Sequence, residues 1–173
     1  MQTSIKQLMK YPSCCDNVTK LRTALSYEKL TQYKENRLID FNFILSTCGV
    51  KDTFRALCTQ SRKIIRAISV DVASSVLFVY EKLNPEDYRL REGINGLYRF
   101  CDGKLSEDDL DILKDEVYAI VECLSIRDSN SIETHSASSI AYAFTNSFWC
   151  AESASNAVYD QWGRNKKILM KYI

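Results

Sequence analysis

The chain has 173 residues, of which 46% are hydrophobic and 26% are charged, the composition of an ordinary folded domain with a single core. Lysine and arginine total 23 against 22 acidic residues, so the formal charge is +1. A charge this close to zero produces no strong electrostatic attraction to polyanions. It therefore argues against the strongly basic class of nucleic-acid-binding proteins.

The amino-terminal residues show no apolar signal segment, and no stretch approaches the roughly 20 apolar residues that cross a bilayer. We therefore expect a cytoplasmic protein without membrane contact. The seven cysteines include no Cys-x-x-Cys pair, and His135 is the only histidine. We expect reduced thiols, most of them packed as small hydrophobic residues, and predict neither a metal site nor a cofactor.

Five glycines and two prolines are too few for the turns of a hairpin-rich fold, so we predict an all-α chain. The expected architecture is a single compact helical domain over 1–173, a bundle of about seven to nine helices. Hydrophobic periodicity places the helices at about 3–10, 14–33, 36–48, 50–60, 62–83, 85–102, 106–126, 131–149 and 151–171.

Local signals mark several helix ends. Gly49 and Gly103 each follow an apolar helical stretch and predict a helix stop. Pro85, with Asn84 as its cap, predicts the first turn of a helix. Ser106, followed three residues later by Asp109, predicts the clearest helix start. The stretch 64–80 is rich in β-branched residues, but its polar residues do not alternate, so we interpret it as a buried central helix.

Small residues dominate segments 134–143 and 151–157 near the carboxyl end. They predict two helices whose backbones approach closely, with a small-residue floor of a ligand groove as the alternative. Large aromatic residues surround both segments and would serve either the core or a partner surface. They are Tyr142, Phe144, Phe148, Trp149, Tyr159 and Trp162.

Segment 84–92 concentrates charge at a predicted helix start. Its acidic residues would complement the helix dipole, and Arg89 or Arg91 would pair with Glu81, Asp87 or a neighbouring helix. Contact with a partner is the alternative for the two arginines.

The run from residue 71 to residue 106 resembles the immunity protein family of bacterial genomes. The shared pattern is an acidic residue on one helix, a glutamate, then a proline and an aspartate before two arginines, and a glycine at the end of the next helix. The matching positions here are Asp71, Glu81, Pro85, Asp87, Arg89, Arg91 and Gly103. The resemblance extends more loosely over a core at 37–160 and leaves 1–35 as an amino-terminal helical extension.

This resemblance implies an all-α protein that protects a cell by binding and blocking a protein toxin. The late helices of the family are richer in alanine and histidine, whereas this chain has serine, asparagine and His135 there. That departure puts a histidine-dependent role in doubt. The low alanine content would also suit a phage or mobile-element member, an anti-CRISPR-like counter-defence protein that blocks a host complex.

We therefore predict a non-catalytic inhibitor that occludes a toxin or a defence-system component by surface complementarity. Aromatic and arginine side chains dominate the affinity of such interfaces. The candidate contact residues are Tyr88, Arg89, Arg91, Trp149, Tyr159 and Trp162.

Three other functions rest on weaker patterns. An enzyme would use His135 with Glu133, or Asp71 with Glu81 and Asp87, but neither set has a distinctive spacing, and we predict no catalytic residue. Binding of nucleic acid would rely on the short basic clusters 61–66 and 164–167, which a helix carboxyl terminus partly explains. Binding of a small molecule is a further alternative.

The carboxyl-terminal segment 168–173 is apolar. If it is exposed, it would favour association of two copies of the chain, so a homodimer is possible.

Overall fold

A computed structural model describes residues 1–25 and 36–173, and these residues confirm the predicted all-α class. The part of predicted helix 14–33 after residue 25 lies outside the described residues. Within these residues, two strands accompany the helices, β1 (Gln2–Ser4) and β2 (Leu38–Asp40). The helices are α1 (Ile5–Leu8), α2 (Cys15–Ala24), α3 (Phe41–Cys48), α4 (Val50–Ala56), α5 (Arg62–Ser74), α6 (Leu77–Leu83), α7 (Arg89–Cys101), α8 (Glu107–Asp128), α9 (Ile132–Ala143), α10 (Ser147–Ala157) and α11 (Gln161–Leu169), with 3-10 turns at Pro12–Cys14 and Leu57–Thr59.

The described residues form two compact units. Unit 1 comprises Met1–Ser61 with Leu169–Ile173, and unit 2 comprises Arg62–Ile168. The expected single domain over 1–173 stays a prediction. Within residues 1–25 and 36–173, no helix has both the length and the apolar character needed to cross a membrane.

Unit 1 contains a short antiparallel sheet that the sequence did not predict. β1 pairs with β2 in the register Gln2 with Asp40, Thr3 with Ile39 and Ser4 with Leu38. Each strand leads directly into a helix through a side-chain cap: Ser4 Oγ accepts from the Gln7 amide, and the Asp40 carboxylate accepts from the Asn42 amide at 2.7 Å. The predicted helices at 3–10 and 36–48 therefore start too early.

Buried apolar side chains fill the interior of unit 1. The largest of them are Ile5, Leu8, Leu21, Phe41, Ile44, Phe54 and Leu57. At the opposite end of the chain, Leu169 is also fully buried, and the Ile173 carbonyl accepts from Asn42 Nδ2 at 3.4 Å. The segment after residue 168 thus contributes to unit 1, while Met170 remains exposed.

Unit 2 centres on the small-residue helices α9 and α10, which pack against each other and against α5. Ala137, Ala141, Ala151 and Ala154 are buried at these helices. Ser139 Oγ donates to the Cys150 carbonyl at 2.9 Å, and the Cys150 thiol donates to the Ser69 carbonyl at 3.3 Å. The predicted close packing of two small-residue helices is confirmed.

The helices α7 and α8 approach each other at two glycines of α7. A Cβ atom on Gly93 would lie 2.6 Å from Val117 Cγ2, and one on Gly96 would lie 2.2 Å from Leu113 Cδ1. Both distances are too short for a real contact. The absence of a side chain at these positions therefore allows α8 to lie against α7.

Three predicted helix boundaries are confirmed. Gly49 ends α3 with a φ of 84°, and Gly103 follows α7 with a φ of 73°. The Lys104 amide donates to the Arg99 carbonyl and the Gly103 amide to the Phe100 carbonyl, which completes a Schellman motif. Ser106 caps α8 by accepting from the Asp109 amide at 3.1 Å.

The predicted helix start at Pro85 is wrong. α7 begins four residues later, at Arg89, and Pro85 lies in a turn closed by the Asp87 amide and the Asn84 carbonyl. Asn84 does not cap a following helix, since its side chain donates back to the Tyr80 carbonyl and across to Glu133. Tyr88 is the N-cap of α7 and makes no side-chain capping bond, while the Asp87 carboxylate just before it accepts from the Arg89 amide at 3.1 Å.

The predicted central helix at 62–83 divides at Ser75 and Val76. Ser75 Oγ donates to the Val72 carbonyl at 2.6 Å, and the Val76 carbonyl accepts from Ser136 Oγ at 2.7 Å. These bonds compete with the helical pattern. The predicted helices at 131–149 and 151–171 form three helices instead, because Asn146 caps α10 and Asp160 adopts a positive φ before α11.

Candidate functional site

An open groove of about 340 Å³ lies in unit 2. α6 forms one wall, and the start of α9 and the connection between α10 and α11 form the others. The side chains that define it are Phe78, Lys82, Leu83, Ile132, Val158 and Tyr159.

Four of these side chains are large, apolar and more than half exposed: Phe78 at 51%, Leu83 at 52%, Ile132 at 54% and Tyr159 at 97%. Complete burial of such a side chain contributes roughly 1.5–3 kcal/mol relative to exposure. Single exposed apolar residues are common, whereas several around one concave site mark an interaction surface. Binding of an apolar partner that buries these side chains would therefore have a favourable free-energy contribution.

The backbone between α10 and α11 directs Tyr159 into solvent. Val158 ends α10 in an extended conformation, and Asp160 follows with a φ of 57°. The Gln161 amide then donates to the Val158 carbonyl at 3.3 Å. Aspartate is one of the few residues other than glycine that adopt a left-handed backbone, and such positions occur at turns and at binding sites.

Gly163 allows this turn to close. Its amide donates to the Asp160 carbonyl, and a Cβ at this position would lie 3.0 Å from Asp160 Oδ1. A side chain here would press on the aspartate carboxylate. The turn that presents Tyr159 thus depends on two local features, Asp160 and Gly163.

A hydrogen-bond cluster holds the loop between α6 and α7. The Asp87 carboxylate accepts from Tyr80 Oη at 2.7 Å and from the Arg89 guanidinium at 2.6 and 3.0 Å. The Arg89 hydrogen bonds hold the pKa of Asp87 well below its usual value. Burial, followed by the Asp87 hydrogen bond, raises the pKa of Tyr80. The cluster therefore fixes the carboxyl-terminal half of α6, which carries groove residues.

A second cluster fixes the start of α9. The Glu133 carboxylate accepts from Asn84 Nδ2 at 2.5 Å and from Arg127 at 2.7 Å. Asn84 follows α6, Arg127 lies in the last turn of α8, and Glu133 follows the groove residue Ile132. Charge-assisted bonds of this kind are stronger than neutral ones. They join the two walls of the groove that carry Leu83 and Ile132.

The predicted contact residues of segment 84–92 lie beside this network. Tyr88 is 58% exposed. Arg89 is paired with Asp87, and Arg91 forms a two-bond pair with Glu81 at 2.7 and 2.6 Å. The intramolecular pairing predicted for the arginines is thus confirmed. Contact between these side chains and a partner stays a prediction.

The predicted aromatic contacts lie on α10, on α11 and between them. Trp149 is half exposed, with its ring 5.1 Å from Phe148 in an edge-on arrangement and 6.4 Å from Tyr142. Trp162 is partly exposed on α11. Tyr159 lines the groove. The sequence did not predict the other large groove residues, Phe78, Leu83 and Ile132.

The carboxylates considered for catalysis each have their own partner. Asp71 accepts from Tyr98 Oη at 2.9 Å, and burial together with that bond raises the pKa of Tyr98 to about 12. Glu81 pairs with Arg91, and Asp87 pairs with Arg89. Over the described ranges, no three His, Cys, Asp or Glu side chains form a group that could hold a metal ion.

The basic cluster at 61–66 also has contacts within unit 2. The Arg66 guanidinium lies 4.5 Å from the centre of the Phe100 ring and 3.9 Å from the Glu107 carboxylate. A cation over an aromatic face is a stabilising contact in itself. At least one of the cluster's charges thus takes part in packing.

The groove combines apolar walls, one cationic side chain and a projecting aromatic ring, an arrangement that suits binding of an apolar segment. Comparisons of the chain with protein-family models, curated protein sequences and solved structures gave no match.

Proposed function

We propose that this protein acts without catalysis, as an immunity-like inhibitor that binds a toxin or defence-system protein through the groove of unit 2. The observation that supports the proposal is the exposure of Phe78, Leu83, Ile132 and Tyr159 around one open concavity. The class of partner, a toxin or defence-system protein, is inferred from the sequence resemblance to the immunity protein family.

The energetics favour a macromolecular partner. Covering four half-exposed or fully exposed side chains yields several kcal/mol, each contributing up to roughly 1.5–3 kcal/mol. Association itself costs about 4–15 kcal/mol, so the groove alone supports weak binding, and a tight inhibitor must use the surrounding surface as well. Tyr88 and Trp149 are large exposed residues that could supply such contacts.

The rigidity of the groove also supports recognition. Its walls are linked through Glu133, and the Tyr159 turn is set by the backbone at Asp160. A surface that is ordered before binding loses less conformational entropy on association. Immunity and counter-defence proteins would both use this mechanism, since each occludes a partner's working surface.

A small apolar molecule is the second candidate ligand. The volume of about 340 Å³ falls at the lower end of small-molecule pockets. Lys82 would provide the polar group that orients such a molecule.

The test compares a groove variant with a matched surface variant. Tagged wild-type protein, Ile132→Ser and Ile112→Ser are used to capture partners from a lysate of the source organism, or of its infected host if the source is a phage. Ile112 is 60% exposed on α8, outside the groove lining, and thus matches Ile132. Mass spectrometry identifies the captured proteins, and sizing gives the stoichiometry.

We expect wild type and Ile112→Ser to retain one stoichiometric protein and Ile132→Ser to lose most of it. The purified partner's own activity should fall when the wild-type protein is added. Equal retention by both variants, or folded wild-type protein that captures nothing, would remove the support for this proposal. Binding of a small apolar dye by wild type alone would then favour the second candidate.

A further inference from the structure

Two cysteine side chains of unit 1 lie within reach of each other. The Sγ atoms of Cys14 and Cys58 are 3.6 Å apart, although the residues are 44 positions apart in the sequence. Both are thiols in the structure. We propose that Cys14 and Cys58 form an oxidisable pair that a peroxide converts into a disulfide.

Local structure places the two sulfurs together. Cys14 ends the 3-10 turn Pro12–Cys14, and Cys58 lies at the centre of the 3-10 turn Leu57–Thr59. The Cys14 thiol donates to the Arg55 carbonyl at 3.4 Å, which fixes its sulfur next to the second turn. A disulfide bond is about 2.05 Å long, so closure needs a further approach of roughly 1.5 Å. Side-chain rotation and a small shift of either turn supply such a movement.

The two sulfurs differ in access to solvent. Cys14 is fully buried, whereas Cys58 is partly exposed. A dissolved oxidant therefore reaches Cys58 first, and Cys14 is positioned to react with the product. Cys58 thus has the solvent access, and Cys14 the proximity, that formation of a disulfide by an oxidant requires.

The reaction with hydrogen peroxide has two steps. The Cys58 thiolate attacks one peroxide oxygen, the O–O bond breaks, and Cys58 sulfenic acid and hydroxide form. The Cys14 thiolate then attacks the Cys58 sulfur, the S–O bond breaks, and a second hydroxide leaves as the S–S bond forms. The two thiol protons convert both hydroxides to water, so two thiols and one peroxide give one disulfide and two waters.

The environment of the pair makes this reaction slow at neutral pH. The hydrogen bond with Cys14, and then burial, raise the pKa of Cys58 above its ordinary value. Because the thiolate is the reactive form, the rate should increase with pH through the alkaline range. The pair would respond to sustained exposure to peroxide rather than to a brief pulse.

The disulfide would also change the stability of unit 1. Closing a loop of this length restricts the unfolded chain. The melting temperature of the oxidised protein should exceed that of the reduced protein by roughly 5–15 °C. This inference concerns a different unit from the groove and does not rest on the proposed function.

The test uses the full chain, reduced and then incubated with hydrogen peroxide before remaining thiols are alkylated. Tryptic digestion without reductant should give one cross-linked species that joins peptides 11–20 and 56–62. Peptide 11–20 also contains Cys15, so Cys15→Ser serves as the matched control and should retain the cross-link. Cys14→Ser should abolish it and leave a sulfenic acid on Cys58 that dimedone traps.

The partly exposed Cys58 provides a second variant that avoids a buried substitution. Cys58→Ser should fold, lack the cross-link and show the same melting temperature with and without peroxide. A cross-link that persists in Cys14→Ser would assign the partner to another cysteine and overturn the inference. Oxidation of Cys58 to sulfinic acid in wild type, without a cross-link, would overturn it as well.

Discussion

Asp87 receives hydrogen bonds from a phenol, a backbone amide and a guanidinium, and these donors come from both sides of the α6–α7 loop. Its carboxylate is therefore more stable as an anion in the folded protein than in the unfolded chain. Arg89 causes the largest part of the decrease in the pKa of Asp87. The charged form contributes to folding, and protonation removes that contribution.

We expect wild-type stability to fall on acidification because of this group. A lowered pKa in the folded state stabilises the protein above the unfolded pKa of about 3.9, and the gain is lost as pH falls below that value. Asp87→Asn should cost about 1.5–3 kcal/mol at neutral pH, the range for hydrogen bonds to charged groups. Its stability should also depend less on pH below about pH 4. Urea unfolding at several pH values measures both effects.

Asp102→Asn is the control for this substitution. Asp102 pairs with Lys104 at the surface, with 59% of its side chain exposed, and such pairs contribute little. An equal loss of stability in both variants would show that Asp87 has no special role.

At the residue scale, sequence patterns predicted only local partners. The Arg89 pair with Asp87 spans two positions and was among the expected alternatives. The Asn84 bond to Glu133 spans 49 positions, and the Tyr98 bond to Asp71 spans 27. Such pairs depend on which helix faces pack together, and periodicity does not specify that.

At the scale of a helix, Ser106 is the clearest test of a predicted boundary. Its Oγ accepts from the Asp109 amide, one of the donors that α8 leaves without a helical partner. Ser106→Ala should lower the free energy of unfolding by about 1 kcal/mol. Ser129→Ala, at the other end of α8, should change it by less than about 0.5 kcal/mol. Thermal unfolding followed by circular dichroism would contradict the cap if both variants behaved alike.

The close approach of α7 and α8 gives a second test at this scale. Alanine stabilises a helix by about 1 kcal/mol relative to glycine, but overpacking costs about 1–3 kcal/mol. Gly93→Ala should be destabilising by about 1–2 kcal/mol, since it meets Val117, a fully buried and β-branched residue with little freedom to move.

Gly96→Ala is the matched comparison, because it meets the end of the more accessible Leu113 side chain. That side chain can rotate away, so we expect a change within about 1 kcal/mol of zero. Chemical denaturation of both variants gives the two values. A larger loss for Gly96→Ala than for Gly93→Ala would contradict this account of the helix pair.

Helix ends that depend on a cap or a glycine were predictable, whereas breaks that depend on tertiary bonds were not. Ser106, Gly49 and Gly103 carry their signal in the sequence itself. The break at Ser75 depends on Ser136, a residue 61 positions away that bonds to the neighbouring Val76 carbonyl. Asn146 and Asp160 were available local signals for the breaks before α10 and α11, since asparagine caps helices and aspartate tolerates a positive φ.

At the scale of the whole molecule, the exposed apolar groove belongs to a chain whose net charge is close to zero. The formal charge is +1 and the sequence isoelectric point is about 7.5, so little repulsion separates copies of the chain near neutral pH. An exposed apolar groove under these conditions favours self-association.

We expect weak, concentration-dependent self-association that is strongest near pH 7.5. Ile132→Ser should weaken it about tenfold, the effect of losing roughly 1.4 kcal/mol of apolar burial. Sedimentation velocity over a range of concentrations measures the change. If Ile112→Ser weakened association as much as Ile132→Ser, general surface hydrophobicity would explain the effect better than the groove.

The all-α class was predictable from composition, because few glycines and prolines leave little choice of turns. The groove was not predictable, apart from Tyr159. Phe78 lies in stretch 64–80, which we interpret from sequence as a buried helix, and Leu83 lies three residues after it. The exposure of both depends on which face of α6 the other helices of unit 2 leave uncovered. Sequence patterns identify which residues are apolar, but they do not show which of these residues remain exposed after the helices pack.

The turn at Asp160 places an exposed side chain and a buried one two positions apart. Tyr159 is 97% exposed, so its replacement removes almost no buried surface, while the neighbouring Gln161 is 1% exposed and belongs to the interior. Substitutions at position 159 can therefore change the shape and chemistry of the groove lip at little cost in stability. A lineage that must follow a changing partner could vary this one position over many generations and keep the same scaffold.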